Sequence, residues 1–330
     1  MDLSTTYLGL KLSHPLIAGA GPLSENLDTV KRLEDAGAAA IVMHSLFEEQ
    51  IEREAVRITN DVQPSTQTFK EATSYFPKQN ELAHGPFFYL EHLHRMKETV
   101  HVPVIASLNG TTPEGWLKYS ELIEAAGADA LELNIYYLPS NPHETGVEVE
   151  QRVLESVRIV KRTIKIPVAV KLSPFYSAPV NMASRLDDLD ADGIVLFNRF
   201  YQPEVHPDEL DMMPKAHFSS SSELSMRLRW IAMLSGRVCA SLAVTGGVHT
   251  AEDAGRSIAA GAHAVQLVSA LLENGPEYLG VIKLGLQEWM ERYHFNSVTE
   301  MRGCLSLQNC PNPAAYERAN YARVLQSRRQ

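Results

Sequence analysis

Apolar and polar positions along the chain fall into two interleaved patterns. Four segments, "LEDAGAAAIVMHS" (33–45), "IEAAGADALELN" (123–134), "LDDLDADGIVLFN" (186–198) and "IAAGAHAVQLVS" (258–269), run from a helix end into a continuous apolar stretch. A glycine or other small residue at the helix end suits a left-handed cap, and an unbroken apolar run suits a parallel strand buried on both faces. Between them lie "PLIAGAG" (15–21), "VPVIASLNG" (102–110), "IPVAVKLSP" (166–174) and "ASLAVTGG" (240–247), three of them entered through proline, which favours extended backbone. Helical patterns at 26–36, 114–126, 147–163, 251–260 and 276–292 separate the strands. Eight strands alternating with helices predict a TIM (β/α)8 barrel. A doubly wound open sheet is the competing architecture; it would normally have fewer strands and a GxGxxG turn after the first, which "AGAGPLSEN" does not match.

The stretch "TTYLGLKLSHP" ahead of the first barrel strand reads as a short hairpin covering the bottom of the barrel. Two long insertions, 48–87 and 199–219, follow the second and sixth barrel strands at the end where barrels keep their chemistry, so both are candidate lids or partner-binding segments. The expectation is one domain over 1–330 with a C-terminal extension from about 295.

Composition narrows the function classes. Apolar residues at 45% and charged residues at 21% describe a chain that folds throughout. A net charge of −10 without a long Lys/Arg run argues against nucleic acid. Three cysteines, Cys239, Cys304 and Cys310, with no close pair exclude a disulfide framework and a zinc knuckle, and fit a reducing compartment. No leader pattern and no apolar stretch of membrane-spanning length occur, so the expected location is cytoplasmic. The histidines form no metal set; "HLH" at 92–94 lies in a helical segment and reads as surface, and no metal site is expected.

Chemistry in a barrel collects where the strands end. Those ends carry Ala20 and Gly21, then His44 and Ser45, Ser107 and Asn109, Asn134 with Tyr136 and Tyr137, Lys171 and Ser173, Asn198, Thr245 with Gly246 and Gly247, and finally Ser269. Paired glycines before a helix with Thr250 as N-cap, next to the "QLVSAL" turn, match the recurring barrel phosphate site, although tight βα turns need glycine for backbone reasons alone. Lys171 inside "VAVKLSP" must aim its ammonium at an anion, a polar cofactor or a carbonyl, or else at a structural ion-pair partner. A phosphate site, asparagines and one interior lysine together point to a flat, amide-rich cofactor such as flavin, with the tyrosines as rim aromatics or active groups.

Taken as a set, "HPLIAGAGPLSEN", "LELNIYYLPSNP", "VAVKLSP", "VTGGVHTAEDA", "GAHAVQLVSAL" and "SVTEMRG" resemble the dihydroorotate dehydrogenase family, from about residue 3 to about residue 305. The resemblance implies an FMN-binding barrel that oxidises dihydroorotate, or a related cyclic amide or enoate, in pyrimidine biosynthesis. It places Ala20, Gly21, His44, Ser45 and Asn109 beside the flavin, Asn134 and Lys171 on the ring, and Gly246, Gly247 and Ser269 on the phosphate. Asn134 and Asn198 would meet the substrate. A homodimer and an electron-transfer partner protein also follow from the likeness, which lies closer to the soluble class than to a membrane-associated one.

The chain departs from that family where its proton acceptor should be. The family reads ELN followed by a catalytic Cys or Ser, whereas here that position falls on or beside Tyr137. Removing a C5 proton while hydride leaves C6 requires a base. Tyr137, or Tyr136 with a one-residue shift, is the candidate, and its ordinary pKa near ~10 would have to be depressed by a cation such as His44 or Lys171. His44 stands where the family has a lysine, and "FSSSSE" (218–223) replaces its glycine-rich loop. Two other readings stay open: a Schiff-base aldolase using Lys171, and a non-catalytic flavin-binding partner subunit.

Overall fold

Eight parallel strands close on themselves in the computed structural model, which describes residues 1–48, 86–110, 112–199, 204–206, 211–213, 217–311 and 313. A hairpin of β1 (Thr5–Tyr7) and β2 (Leu10–Leu12) comes first. The barrel strands are β3 (Leu16–Ala18), β4 (Ile41–Phe47), β5 (Val104–Asn109), β6 (Ala130–Asn134), β7 (Val168–Leu172), β8 (Gly193–Leu196), β11 (Ser241–Thr245) and β12 (Ala264–Leu267). They pair in the ring order β11, β12, β3, β4, β5, β6, β7, β8, which β8 closes onto β11. A small antiparallel pair, β9 (Glu204–His206) and β10 (Asp211–Met213), lies in the insertion after β8. The rest of that insertion up to 216, and 49–85 of the earlier one, lie outside the described residues, as do the candidate lids placed there.

Around the barrel run α1 (Leu27–Asp35), α2 (Pro86–Thr99), α3 (Pro113–Ala125), α4 (Gly146–Thr163), α5 (Pro179–Asp187), α6 (Leu224–Leu234), α7 (Ala251–Ala260), α8 (Ser269–Asn274), α9 (Tyr278–Arg292) and α10 (Val298–Met301). The N-termini of these helices have local causes. Asn26, Thr112, Thr145 and Thr250 each accept an N–H of the first turn, and Thr145 and Thr250 complete reciprocal boxes with Glu148 and Asp253. None of the described helices is long and apolar enough to cross a membrane.

The barrel interior is layered because alternate residues of a strand face the same side. Each strand gives one residue to the floor: Ile17, Val42, Ile105, Ala130, Ala169, Val195, Ala243 and Ala264. Four of the eight are alanines, and the space they leave is filled from below by Tyr7, Leu8 and Leu12 of the hairpin. The expected bottom cover is thus a plug, tied down where Leu8 N–H donates to Ser241 Oγ at 3.3 Å and Thr5 Oγ1 to His263 O at 3.1 Å. The segment past 295 returns to the helical layer: Gly303 and Leu305 N–H donate to Ile258 O and Ala259 O, and Leu307 N–H to Ala232 O.

Two histidines couple this base to pH. His14 accepts the Leu16 N–H at Nδ1 and bonds Gly37 O through Nε2 at 2.6 Å; His263 accepts the Leu242 N–H at Nδ1. Both are therefore held neutral. Burial, with the Lys283 charge beside His14 and the Arg302 charge beside His263, lowers each from its ordinary value near 6.5 to about 4. The unfolded rings take up protons below pH 6.5 and the folded ones only near 4, so their contribution is complete above pH 6.5 and is lost as pH falls. Denaturant unfolding between pH 7.5 and 4.5 should show stability dropping, by on the order of 3 kcal/mol for each ring at the acid end. A flat profile would contradict this assignment.

Candidate active site

Above the alanine floor the interior turns polar. Glu132 of β6 is fully buried and Lys171 of β7 is 6% exposed, and the Lys171 ammonium donates to Glu132 Oε1 at 3.1 Å. Glu132 Oε2 accepts from Gln266 Nε2 at 2.5 Å. Because β12 stands four places from β6 in the ring of eight, Gln266 reaches Glu132 from the opposite wall. A polar bridge therefore spans the barrel. The Tyr7 hydroxyl, without a hydrogen-bond partner among the described residues, faces this layer from below, and burial and the Glu132 charge push its pKa far above the ordinary phenol value.

One layer higher, Asn134 sits two residues beyond Glu132 on the same face and pairs in register with Lys171. Its Nδ2 donates to Ser45 Oγ at 2.9 Å, Ser45 Oγ meets Ser107 Oγ at 2.8 Å, and Asn134 Oδ1 accepts from Asn198 Nδ2. The expected residues Ser45, Asn134, Lys171 and Asn198 are thus brought together by β4, β6, β7 and the end of β8. Asn109 is buried at the end of β5, opposite Phe47. Ser173, also buried, accepts the Phe175 N–H. Ala20 and Gly21 are half-buried at the first strand end, where Gly21 O accepts from Ser24 Oγ at 2.9 Å. His44 is half-buried; its N–H donates to Ser24 Oγ, and its ring meets Tyr89 edge-on at 5.2 Å. His92, expected at the surface, is half-buried and bonds Ser24 O at 2.6 Å, because the helical turn of α2 faces it inward while His94 stays exposed.

The opposite side of the mouth forms a second cluster. Gly246 and Gly247 both have φ near +80°, and a β-carbon at Gly247 would lie 2.7 Å from the backbone nitrogen of Leu224. Gly247 N–H donates to Ser219 Oγ at 3.2 Å, Ser219 N–H donates to Ser269 Oγ at 3.1 Å, and Ser219 Oγ also meets His249 Nε2. The serine run that replaces the glycine-rich loop therefore lands on the expected glycines and on Ser269. Behind them lies Arg227, 3% exposed, donating to Thr245 O and Glu223 O, and lowered from the usual guanidinium value by burial. Arg227 and Ser219 were not singled out from sequence, since nothing in "SELSMRLRW" separates a buried arginine from a solvated one.

The tyrosines turn elsewhere. Tyr137 is 36% exposed, donates to Glu144 Oε2 at 2.7 Å, and lies under the Arg152 guanidinium, 4.4 Å from the ring centroid. Arg152 also pairs with Glu144. The cation beside Tyr137 is thus Arg152 of α4, in place of the expected His44 or Lys171. Tyr136 and Tyr137 line a shallow hollow between α3 and α4, with Trp116 and Arg152. The described residues contain no group of three or more potential metal ligands, and no disulfide joins the cysteines among them.

Known proteins resemble this chain over most of its length. The dihydroorotate dehydrogenase family matches residues 80–290. The catalytic subunit of dihydroorotate dehydrogenase B (NAD(+)) from Thermoplasma volcanium is 27% identical over 310 residues, 92% of this chain and 98% of the relative. A putative dihydroorotate dehydrogenase A (fumarate) from Aeropyrum pernix is 26% identical over 92% of this chain and 97% of its own length. The NAD-dependent dihydropyrimidine dehydrogenase subunit PreA of Escherichia coli K12 is 25% identical over 92% of this chain and 76% of its own. The family match covers well over half the chain and runs through the strands that present Asn134, Lys171, Asn198 and the paired glycines, so this barrel belongs to the dihydroorotate dehydrogenase family.

Proposed function

We propose that the protein is an FMN-dependent oxidoreductase acting on dihydroorotate or a related cyclic amide or enoate. The observation that carries this reading is the hydrogen-bonded chain of the Ser45 hydroxyl with the Asn134 and Asn198 amides beside Lys171 at the barrel mouth. The residues fit the cofactor: Ala20, Gly21, His44, Ser45 and Asn109 would border the ring, and Asn134 and Lys171 would donate to its carbonyl edges. Gly246, Gly247 and Ser269, joined through Ser219, form a tight turn packed against the Leu224 backbone, and would hold the phosphate. Bound FMN would supply the hydride acceptor.

Asn134 and Asn198 orient the substrate amide, their side chains locked by each other and by Ser45. Tyr137 holds the base position of the loop after β6; to receive the substrate proton it would leave its own on Glu144, whose carboxylate Arg152 holds, and turn from there to the barrel mouth. A dihydropyrimidine dehydrogenase subunit among the relatives supports a cyclic amide other than dihydroorotate as substrate. Relatives named for NAD(+) and for fumarate support reoxidation by a separate acceptor, through a partner protein in the first case. The Schiff-base alternative is disfavoured, because the Lys171 nitrogen is already engaged by the buried Glu132 carboxylate at 3.1 Å.

The test is anaerobic. Dihydroorotate, and separately dihydrouracil, is mixed with the yellow protein while the visible band is followed. Bleaching by either supports the reading, and Tyr137→Phe should then slow it by 10²-fold or more while Tyr136→Phe changes it little. Full-rate bleaching in both variants would remove the tyrosines from proton transfer. A band that persists with both compounds would sink the substrate assignment.

A further inference from the structure

We propose that Glu132 is a positioning residue that sets the charge met by the flavin at Lys171, and through it the reduction potential of the bound cofactor; the inference rests on the FMN reading above. Lys171 stands between two environments. Below it, one of its three N–H groups is spent on Glu132, while among the described residues no other bond of its ammonium is found and its side chain keeps 8% exposure. Its other two donors are left for the layer of Asn134, its register partner at the strand end.

A lone lysine under the ring would present a full positive charge. Two-electron, one-proton reduction leaves a bound flavin with one more negative charge, so such a lysine would favour the reduced form. Glu132 opposes this. Its carboxylate is fully buried, its only cationic partner among the described residues is Lys171, and its second oxygen is pinned by Gln266 from across the barrel, so the pair presents a hydrogen-bond donor without net charge. Water does not screen that arrangement, because Glu132 and Gln266 are at most 1% exposed. A purely mechanical prop would leave the potential where it is.

The exchange Glu132→Gln is built to keep the shape. The new amide oxygen can still accept from Lys171, and Gln266, whose Oε1 has no partner among the described residues, can rotate its amide to accept from the new NH₂. Midpoint potentials are measured on the full chain saturated with FMN, by anaerobic equilibration against a reference dye. Glu132→Gln should favour reduction at least tenfold, ~30 mV upward for two electrons. Lys171→Met should shift the potential downward, and the double variant should return at least half-way to the parent. An unchanged potential in Glu132→Gln overturns the proposal while leaving the FMN reading intact. Should that variant not hold FMN, a double variant equal to Lys171→Met overturns it instead. A parent protein that binds no FMN overturns both, and its absorbance spectrum shows this before any variant is made.

Discussion

Lys171→Met should lose about 3–5 kcal/mol of unfolding free energy at neutral pH, the effect of leaving a buried carboxylate without its cation. Among the described residues no other cation pairs with Glu132: its neighbours on the barrel floor are alanines, aliphatic side chains and the uncharged Tyr7 hydroxyl, and its other bond is already made to Gln266. With total stabilities of roughly 5–15 kcal/mol for folded domains, such a loss is a large share of the whole. Adding Glu132→Gln should restore most of it, because the pair then becomes two neutral groups of similar volume. Denaturant unfolding of the two single variants and the double completes the cycle. Losses that simply add would show that Lys171 and Glu132 do not depend on each other for stability.

Gly247→Ala should be nearly as damaging, for a different reason. At φ +79° an L-residue is strained by about 1–2 kcal/mol. Its β-carbon would also sit 2.7 Å from the Leu224 backbone nitrogen, which cannot rotate aside as a side chain could. Overpacking of this kind adds about 1–3 kcal/mol. The displaced turn would carry the Gly247 N–H off Ser219 Oγ and disturb the link from Ser219 to Ser269. On the phosphate assignment, FMN affinity should fall at least tenfold while riboflavin, which lacks the phosphate, binds as it does to the parent. Equal losses for both ligands would mean that the paired glycines serve the fold alone.

Glu132 was within reach of sequence reasoning. It lies two residues before Asn134 in "LELN", so strand alternation puts both on one face, and a charged residue in a strand buried on both faces needs a partner that Lys171 could supply. Gln266 in "AVQLV" follows the same logic. What alternation does not tell is that β12 stands opposite β6, and so that Gln266 and not a neighbour completes the bridge.

Much of the architecture was local and therefore legible in the residues. Helix ends at Thr250 and Thr145, apolar runs entered through proline, and the strand count follow from interactions spanning a few positions, and the barrel follows from their alternation. The strand ends likewise named Ser45, Asn134, Lys171, Asn198, Gly246, Gly247 and Ser269, because period-two faces and turn glycines are written in short segments. Long-range closure decided the rest. Ser219 reaches Ser269 across fifty residues, Arg227 is buried behind the glycine turn, and Tyr137 turns to Glu144 and Arg152 instead of toward Lys171. Side-chain direction beyond a strand end depends on which helix packs alongside, and that is settled only when the ring closes.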